Sequence, residues 1–179
     1  MTAPGRRVLV LGGARSGKSA HAESLLALEE SVDYVDTVHR NPEDAEWAER
    51  IALHRESRPE HWNVAGDADV AAVLGGGSGA VLLDSVTGWL GTMLDTVGLW
   101  SDAPDAEDRI AGEVDRFVGA WAATERLVVA VSGGFGSGLA PVAGERRLFR
   151  DALGLLNQRL AASADEVWLV TAGIAQRLR

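Results

Sequence analysis

The chain has 179 residues, 46% of them apolar, with 21 Gly and no Cys. That is enough for one domain over 1–179 with a full core, and it excludes disulfides, thiolate zinc sites and a cysteine nucleophile. The net charge of −9 argues against a broad nucleic-acid or anionic-membrane footprint, while the glycine surplus implies either low complexity or loops of special backbone.

The first expected element is a strand, Arg7–Leu11 (RVLVL), an unbroken apolar run of the kind buried on both faces of a parallel sheet. Its apolar core, Val8–Leu11, is too short for a signal-peptide core, and no later run reaches membrane-span length. A cytoplasmic location without membrane insertion is therefore expected. The strand runs into Gly12-Gly13-Ala14-Arg15-Ser16-Gly17-Lys18-Ser19, a match to G-x-x-x-x-G-K-[ST], and a helical pattern over 18–29 follows. Strand, loop and helix in this order are the context a phosphate-binding loop requires. Gly12, Gly13 and Gly17 let successive N–H groups face phosphate oxygens, and the helix start adds the positive end of its dipole. Lys18 is placed to reach the β and γ phosphates, and Ser19 to offer its hydroxyl to Mg²⁺.

A second strand is expected at Val32–Asp36, then a helix over 42–57 opened by Asn41-Pro42-Glu43-Asp44 and ended by Arg58-Pro59. Near its C-terminal end, Trp47, Ile51 and His54 share a face, and Arg50, Arg55 and Arg58 surround the histidine. Two readings stand for His54: an imidazole stabilising a helix C-terminus, or a nucleophile beside cations that hold phosphate charge. His21 and His39 have weaker cases, and His61 reads as packing or surface. Gly75–Gly79 reads as a flexible surface connection into a third strand, Ala80–Asp84 (AVLLD). Asp84 is either the metal-side acid of the phosphate site or a cap for the helix expected over 86–97.

An acidic loop around Ser101–Asp108 leads into a helix over 106–124 and a strand at Leu127–Ser132. A glycine-bearing loop then runs to Gly144, a helix covers 145–163, and a strand covers Glu166–Thr171. Trp89 and Trp168 read as core or interface, and Arg146, Arg147 and Arg150 as phosphate contacts or a solvated helix face. The alternation gives an α/β, P-loop NTPase-like, doubly wound and mostly parallel sheet flanked by helices. No N-K-x-D guanine signature is present, which argues against a signalling-type GTPase.

Four strings carry a wider resemblance: VLVLGGARSGKSAHAE at 8–23, EWAERIALHRESRPEHW at 46–62, LLDSVTGWL at 82–90 and FRDALGLLNQRLAASADEVWLVTAGI at 149–174. In this order they resemble the bifunctional adenosylcobinamide kinase/adenosylcobinamide-phosphate guanylyltransferase family of cobalamin assembly. The resemblance implies phosphorylation of adenosylcobinamide by ATP or GTP, followed by transfer of GMP from GTP to the phosphorylated product. It places a covalent GMP on His54, and it leaves in place the motif's reading of Lys18 as catalytic and of Ser19 and Asp84 as the metal side. Arg55 and Arg58 are then candidate substrate or phosphate contacts, Mg²⁺ the implied cofactor, and a homotrimer the implied assembly. Two positions depart from the family pattern. Gly133-Gly134 stand where Asn-Glu is common, and Asn63-Val64-Ala65-Gly66 stand where an acid usually follows the tryptophan. Phe135 and its flanking glycines read as a mobile lid over a corrinoid or as a plain flexible loop.

Overall fold

The computed structural model describes residues 5–37, 59, 61–66, 68–97, 105–134 and 145–179. The strands are β1 (Arg7–Gly12), β2 (Val32–Asp36), β3 (Asn63–Val64), β4 (Ala80–Asp84), β5 (Val128–Ser132), β6 (Glu166–Thr171) and β7 (Ile174–Arg177). The helices are α1 (Lys18–Leu25), α2 (Val70–Gly75), α3 (Val86–Val97), α4 (Ala106–Ala123) and α5 (Glu145–Ser163). One seven-stranded sheet has the order β3-β2-β4-β5-β1-β6-β7, parallel except for the antiparallel pair β6–β7. The strand expectations for 32–36, 80–84 and 166–171 and the helix expectations for 86–97 and 145–163 agree with these bounds. The helix expected over 18–29 ends at Leu25, with turns after it. The helix expected over 42–57 lies outside the described residues.

The apolar runs are continuous because alternate side chains serve different cores. Leu9, Leu11, Leu83 and Ala130 face one side, where they meet Leu90 and Leu94 of α3, Phe117 and Trp121 of α4, and Leu153, Leu156 and Leu160 of α5. Val8, Val10, Tyr34, Leu82 and Val131 face the other, with Ala22 and Leu26 of the α1 segment and Trp62. Each fully buried large side chain contributes about 1.5–3 kcal/mol. Trp121 keeps its polar edge satisfied by donating Nε1–H to the Leu160 carbonyl at 3.1 Å.

The glycine connection before β4 is not a flexible linker. Gly75 ends α2, and Gly77 and Gly79 take φ values of 74° and 89°. The loop folds around Arg126, whose guanidinium donates to the carbonyls of Val73, Gly76, Ser78, Gly79 and Ala80 and to Asp33 Oδ2 at 2.5 Å. A Cβ on Gly79 would lie 2.7 Å from the Ser31 carbonyl. Glycine is needed because the backbone curls back onto β2 and presents carbonyls to one buried cation.

Asp69 caps α2 by accepting from Ala71 N–H at 3.0 Å, and it also accepts from Arg116. The Arg116 guanidinium beside Asp69 and the Arg7 guanidinium beside Asp165 hold both carboxyls below the usual carboxylate range. Each group takes up its proton more readily in the unfolded chain. Its contribution is therefore complete above about pH 4 and drains as pH falls below that value.

Two predictions follow from these ion pairs. Arg126→Met should lower the urea-unfolding free energy by about 3–5 kcal/mol, because carbonyls and a carboxylate lose a buried partner. Arg116→Met, at an exposed pair, should cost no more than about 1 kcal/mol; equal losses would contradict the distinction. An Asp69→Asn/Asp165→Asn double variant should lose stability less steeply than wild type between about pH 4 and pH 2. Identical slopes would show that these carboxylates do not drive the acid transition.

Candidate phosphate and metal site

The C-terminal ends of the parallel strands share one edge of the sheet, and the sequence motifs meet there. β1 ends at Gly12 and continues into the phosphate loop, with β5 on one side of it and β6 on the other. Gly17 starts α1 with φ 90° and brings no side chain to the cap, so the first N–H groups of the helix remain available to an anion. Arg15 also takes a left-handed φ of 55°. Ser16 N–H donates to the Gly13 carbonyl at 3.3 Å, and Lys18 Nζ donates to the same carbonyl at 3.1 Å. The loop thus closes on itself and holds the ammonium above it.

A second backbone braces this loop from outside. The β6–β7 hairpin turns through Ala172 and Gly173, at φ 52° and 78°, and Gly173 N–H donates to the Ser16 carbonyl at 2.8 Å. A Cβ on Gly17 would lie 3.2 Å from Gly173 Cα, and one on Gly12 would lie 2.8 Å from the Val170 carbonyl. Gly13 differs: a Cβ there would meet open space. Gly12 and Gly17 therefore permit a close approach between backbones, which Gly13 does not.

Asp84 ends β4, two strands from β1 with β5 between them, and is paired in register with Asp36 of β2. Both residues fall on the strand positions that face the α1 side, with Leu82 and Tyr34. The cap position of α3 is filled by the next residue, since Ser85 Oγ accepts from Gly88 N–H at 3.1 Å. That bond supplies the helix start without calling on Asp84. Thr87 Oγ1 accepts from Gly133 N–H at 2.7 Å, tying the end of β5 to the same helix turn. Ser19 and Asp84 offer a hydroxyl and a carboxylate, hard oxygen donors of the kind Mg²⁺ takes beside nucleotide phosphates. The residues present fit that ion.

The glycine just past the end of β5 occupies a constrained position. Gly134 takes φ 74°, and a Cβ there would lie 2.4 Å from Cδ2 of Leu153, which is buried in the core. A glutamate at 134 would require both a strained backbone and a shift of α5 packing.

Other expected residues separate clearly. His54, Arg55 and Arg58 lie outside the described residues, as do Phe135 and the rest of its loop to Gly144. His21 is half-buried with its ring 4.9 Å from Trp168, and burial lowers its imidazole below the ordinary histidine value. Its Nε2 has no hydrogen-bond partner among the described residues. Trp89 packs on Phe117 with ring centroids 4.7 Å apart. Arg147 sits on an exposed face of α5 beside Asp151. Sequence reasoning did not reach Gly173 or the Thr37–Ser85 contact. No strong local signal marked the hairpin, since Ala172-Gly173 is not a favoured two-residue turn pair and the strand after it, IAQR, is only half apolar.

Residues 8–178 match the family described as cobinamide kinase / cobinamide phosphate guanyltransferase. The chain belongs to this family. Its members include the bifunctional adenosylcobalamin biosynthesis proteins CobU of Salmonella typhimurium, 37% identical over 96% of this chain and 99% of the relative, and CobU of Escherichia coli, 38% identical over the same shares. CobP of Pseudomonas aeruginosa is 33% identical over 97% of each chain. An ATPase from the type III secretion system of pathogenic bacteria shares the fold, with a TM-score of 0.55 at 14% identity over 97% of this chain and 58% of that protein. The cobinamide kinase / guanyltransferase family and the P-loop α/β fold expected from the motifs both hold. Among the described residues, no helix is long and apolar enough to cross a membrane.

Gly17→Ala should raise the dissociation constant for GTP by about tenfold or more, because a left-handed alanine costs about 1–2 kcal/mol and presses on Gly173. Gly13→Ala should change it far less. Equal effects in a fluorescence titration would remove the hairpin from the description of the loop.

Proposed function

We propose that the chain phosphorylates adenosylcobinamide with a nucleoside triphosphate and then transfers GMP from GTP to the product, giving adenosylcobinamide-GDP. The observation that carries this reading is a phosphate loop of the geometry above in a chain that matches this family over residues 8–178. In the first reaction the hydroxyl oxygen of the aminopropanol arm attacks the γ-phosphorus, and the bond to the leaving nucleoside diphosphate breaks. The α1 N–H groups and Lys18 bind the phosphates and hold their charge. Ser19 and Asp84 would hold Mg²⁺, which when bound screens the charge developing between the β and γ phosphates.

In the second reaction a ring nitrogen of His54 attacks the α-phosphorus of GTP and pyrophosphate leaves. A phosphate oxygen of adenosylcobinamide phosphate then attacks the same phosphorus, the P–N bond breaks, and the histidine is regenerated. Two in-line displacements let one nucleotidyl group meet its acceptor without both substrates crowding the pocket at once. Arg55 and Arg58, close to His54 in sequence, supply cations suited to the phosphate charge in this step. A homotrimer belongs to the same proposal on the strength of the family resemblance, and a cytoplasmic location on the shortness of the chain's apolar runs.

A second reading draws on Gly134. Without a strand-end carboxylate at that position, the chain is a relative in which the kinase half is weakened while guanylyl transfer persists.

The two halves separate experimentally. Incubation with Mg²⁺ and GTP labelled at the α-phosphate should leave an acid-labile, base-stable GMP adduct on the denatured wild-type chain. His54→Ala should abolish the adduct, and an adduct on that variant would assign the nucleophile elsewhere. Lys18→Ala should lower adenosylcobinamide-dependent nucleotide consumption about a hundredfold or more. Wild-type protein that forms the adduct but consumes no nucleotide with adenosylcobinamide would favour the second reading.

A further inference from the structure

The chain leaves β2 at Thr37, beside the turn that carries Asp84. The two places are joined by more than strand pairing. The Thr37 hydroxyl accepts from Ser85 N–H at 2.8 Å and donates to the Ser85 carbonyl at 2.5 Å. Thr37 N–H donates to the Asp84 carbonyl at 3.4 Å, and the Thr37 carbonyl accepts from the Thr92 hydroxyl at 3.4 Å. A single hydroxyl therefore pairs with both backbone polar groups of the residue that follows Asp84, whose carbonyl also accepts from Trp89 N–H at 3.0 Å.

Helix α3 makes room for this arrangement. A Cβ on Gly88 would lie 3.1 Å from both the carbonyl oxygen and Oγ1 of Thr37. Ser85 is held from the other side as well, since its own Oγ caps α3 at Gly88 N–H. The turn after β4 is thus fixed between a strand end and a helix start, and Thr37 is the side chain that spans them. Thr87 extends the same tie to β5 through Gly133 N–H.

We propose that Thr37 is a positioning residue for phosphoryl transfer: acting through Ser85, it fixes the turn from which Asp84 serves the metal side of the phosphate loop. This rests on the reading of Asp84 as the metal-side acid. Threonine suits the task because its hydroxyl donates and accepts at once, whereas valine, with the same shape, does neither. Loss of the hydroxyl leaves Ser85 N–H without its partner in a half-buried turn, while the Ser85 carbonyl keeps only the Trp89 N–H at 3.0 Å, and the carboxylate one residue earlier loses its fixed placement.

The test uses the full-length protein with Mg²⁺ and GTP. In Thr37→Val, hydrogen exchange at the Ser85 amide of the nucleotide-free protein should speed up by about tenfold or more, the weight of one lost hydrogen bond. Its half-saturating Mg²⁺ for GTP binding should rise several-fold, while GTP affinity in EDTA stays at the wild-type value. Thr37→Ser should restore both readouts. Asp84→Asn should raise the Mg²⁺ requirement and leave Ser85 protected. If Asp84→Asn shifts the Mg²⁺ requirement and Thr37→Val does not, Thr37 only packs and the proposal is wrong. If Asp84→Asn leaves the Mg²⁺ requirement unchanged, the metal-side reading of Asp84 falls and takes the proposal with it. Failure of Thr37→Ser to rescue would likewise overturn the role of the hydroxyl.

Discussion

The phosphate loop keeps its shape because two backbones meet there with no side chain between them. Gly17 turns the chain from β1 into α1, and Gly173 turns it from β6 into β7. Their closeness allows one amide, Gly173 N–H, to anchor the Ser16 carbonyl. Anion binding at a helix N-terminus needs preorganised donors, since a loop that must order itself on binding spends part of the interaction on that ordering. Most of the site geometry depends on this contact. It fixes where α1 begins, and so where Lys18 and Ser19 stand.

Strand order then distributes the chemistry along one edge. β5 separates the phosphate-loop strand from the strand that ends in Asp84, so the acid proposed for the metal side is reached across an intervening strand. Parallel pairing brings every one of these strand ends to the same side of the sheet. Side-chain hydroxyls lock the ends together: Thr37 holds Ser85, and Thr87 holds Gly133. Far from this edge, Arg126 performs a comparable task by gathering the carbonyls of a glycine loop and Asp33. A buried guanidinium with that many partners stabilises one loop conformation over the many that a glycine-rich segment could visit.

Much of this was legible in the sequence. Continuous apolar runs announced buried parallel strands, and the phosphate-loop motif lay between a strand and a helix as its chemistry requires. The short elements were missed for physical reasons. β3 is only two residues long and exposed, β7 is an exposed edge strand whose residues are not continuously apolar, and α2 spans six residues with a glycine at its end. The glycines at 75–79 were misread because composition shows a backbone's freedom and cannot show a distant cation that uses it up. Arg126 is 47 residues or more from the glycine carbonyls it binds, so no local pattern links them. The Thr37–Ser85 contact spans 48 residues and was hidden in the same way.

A chain that performs both reactions should carry one corrinoid through two products in order. The most direct measurement is mass analysis of the products formed from adenosylcobinamide, ATP, GTP and Mg²⁺ with the wild-type protein. Adenosylcobinamide phosphate should appear first and convert to adenosylcobinamide-GDP as GTP is consumed. Failure to form adenosylcobinamide-GDP even from supplied adenosylcobinamide phosphate would contradict the assignment.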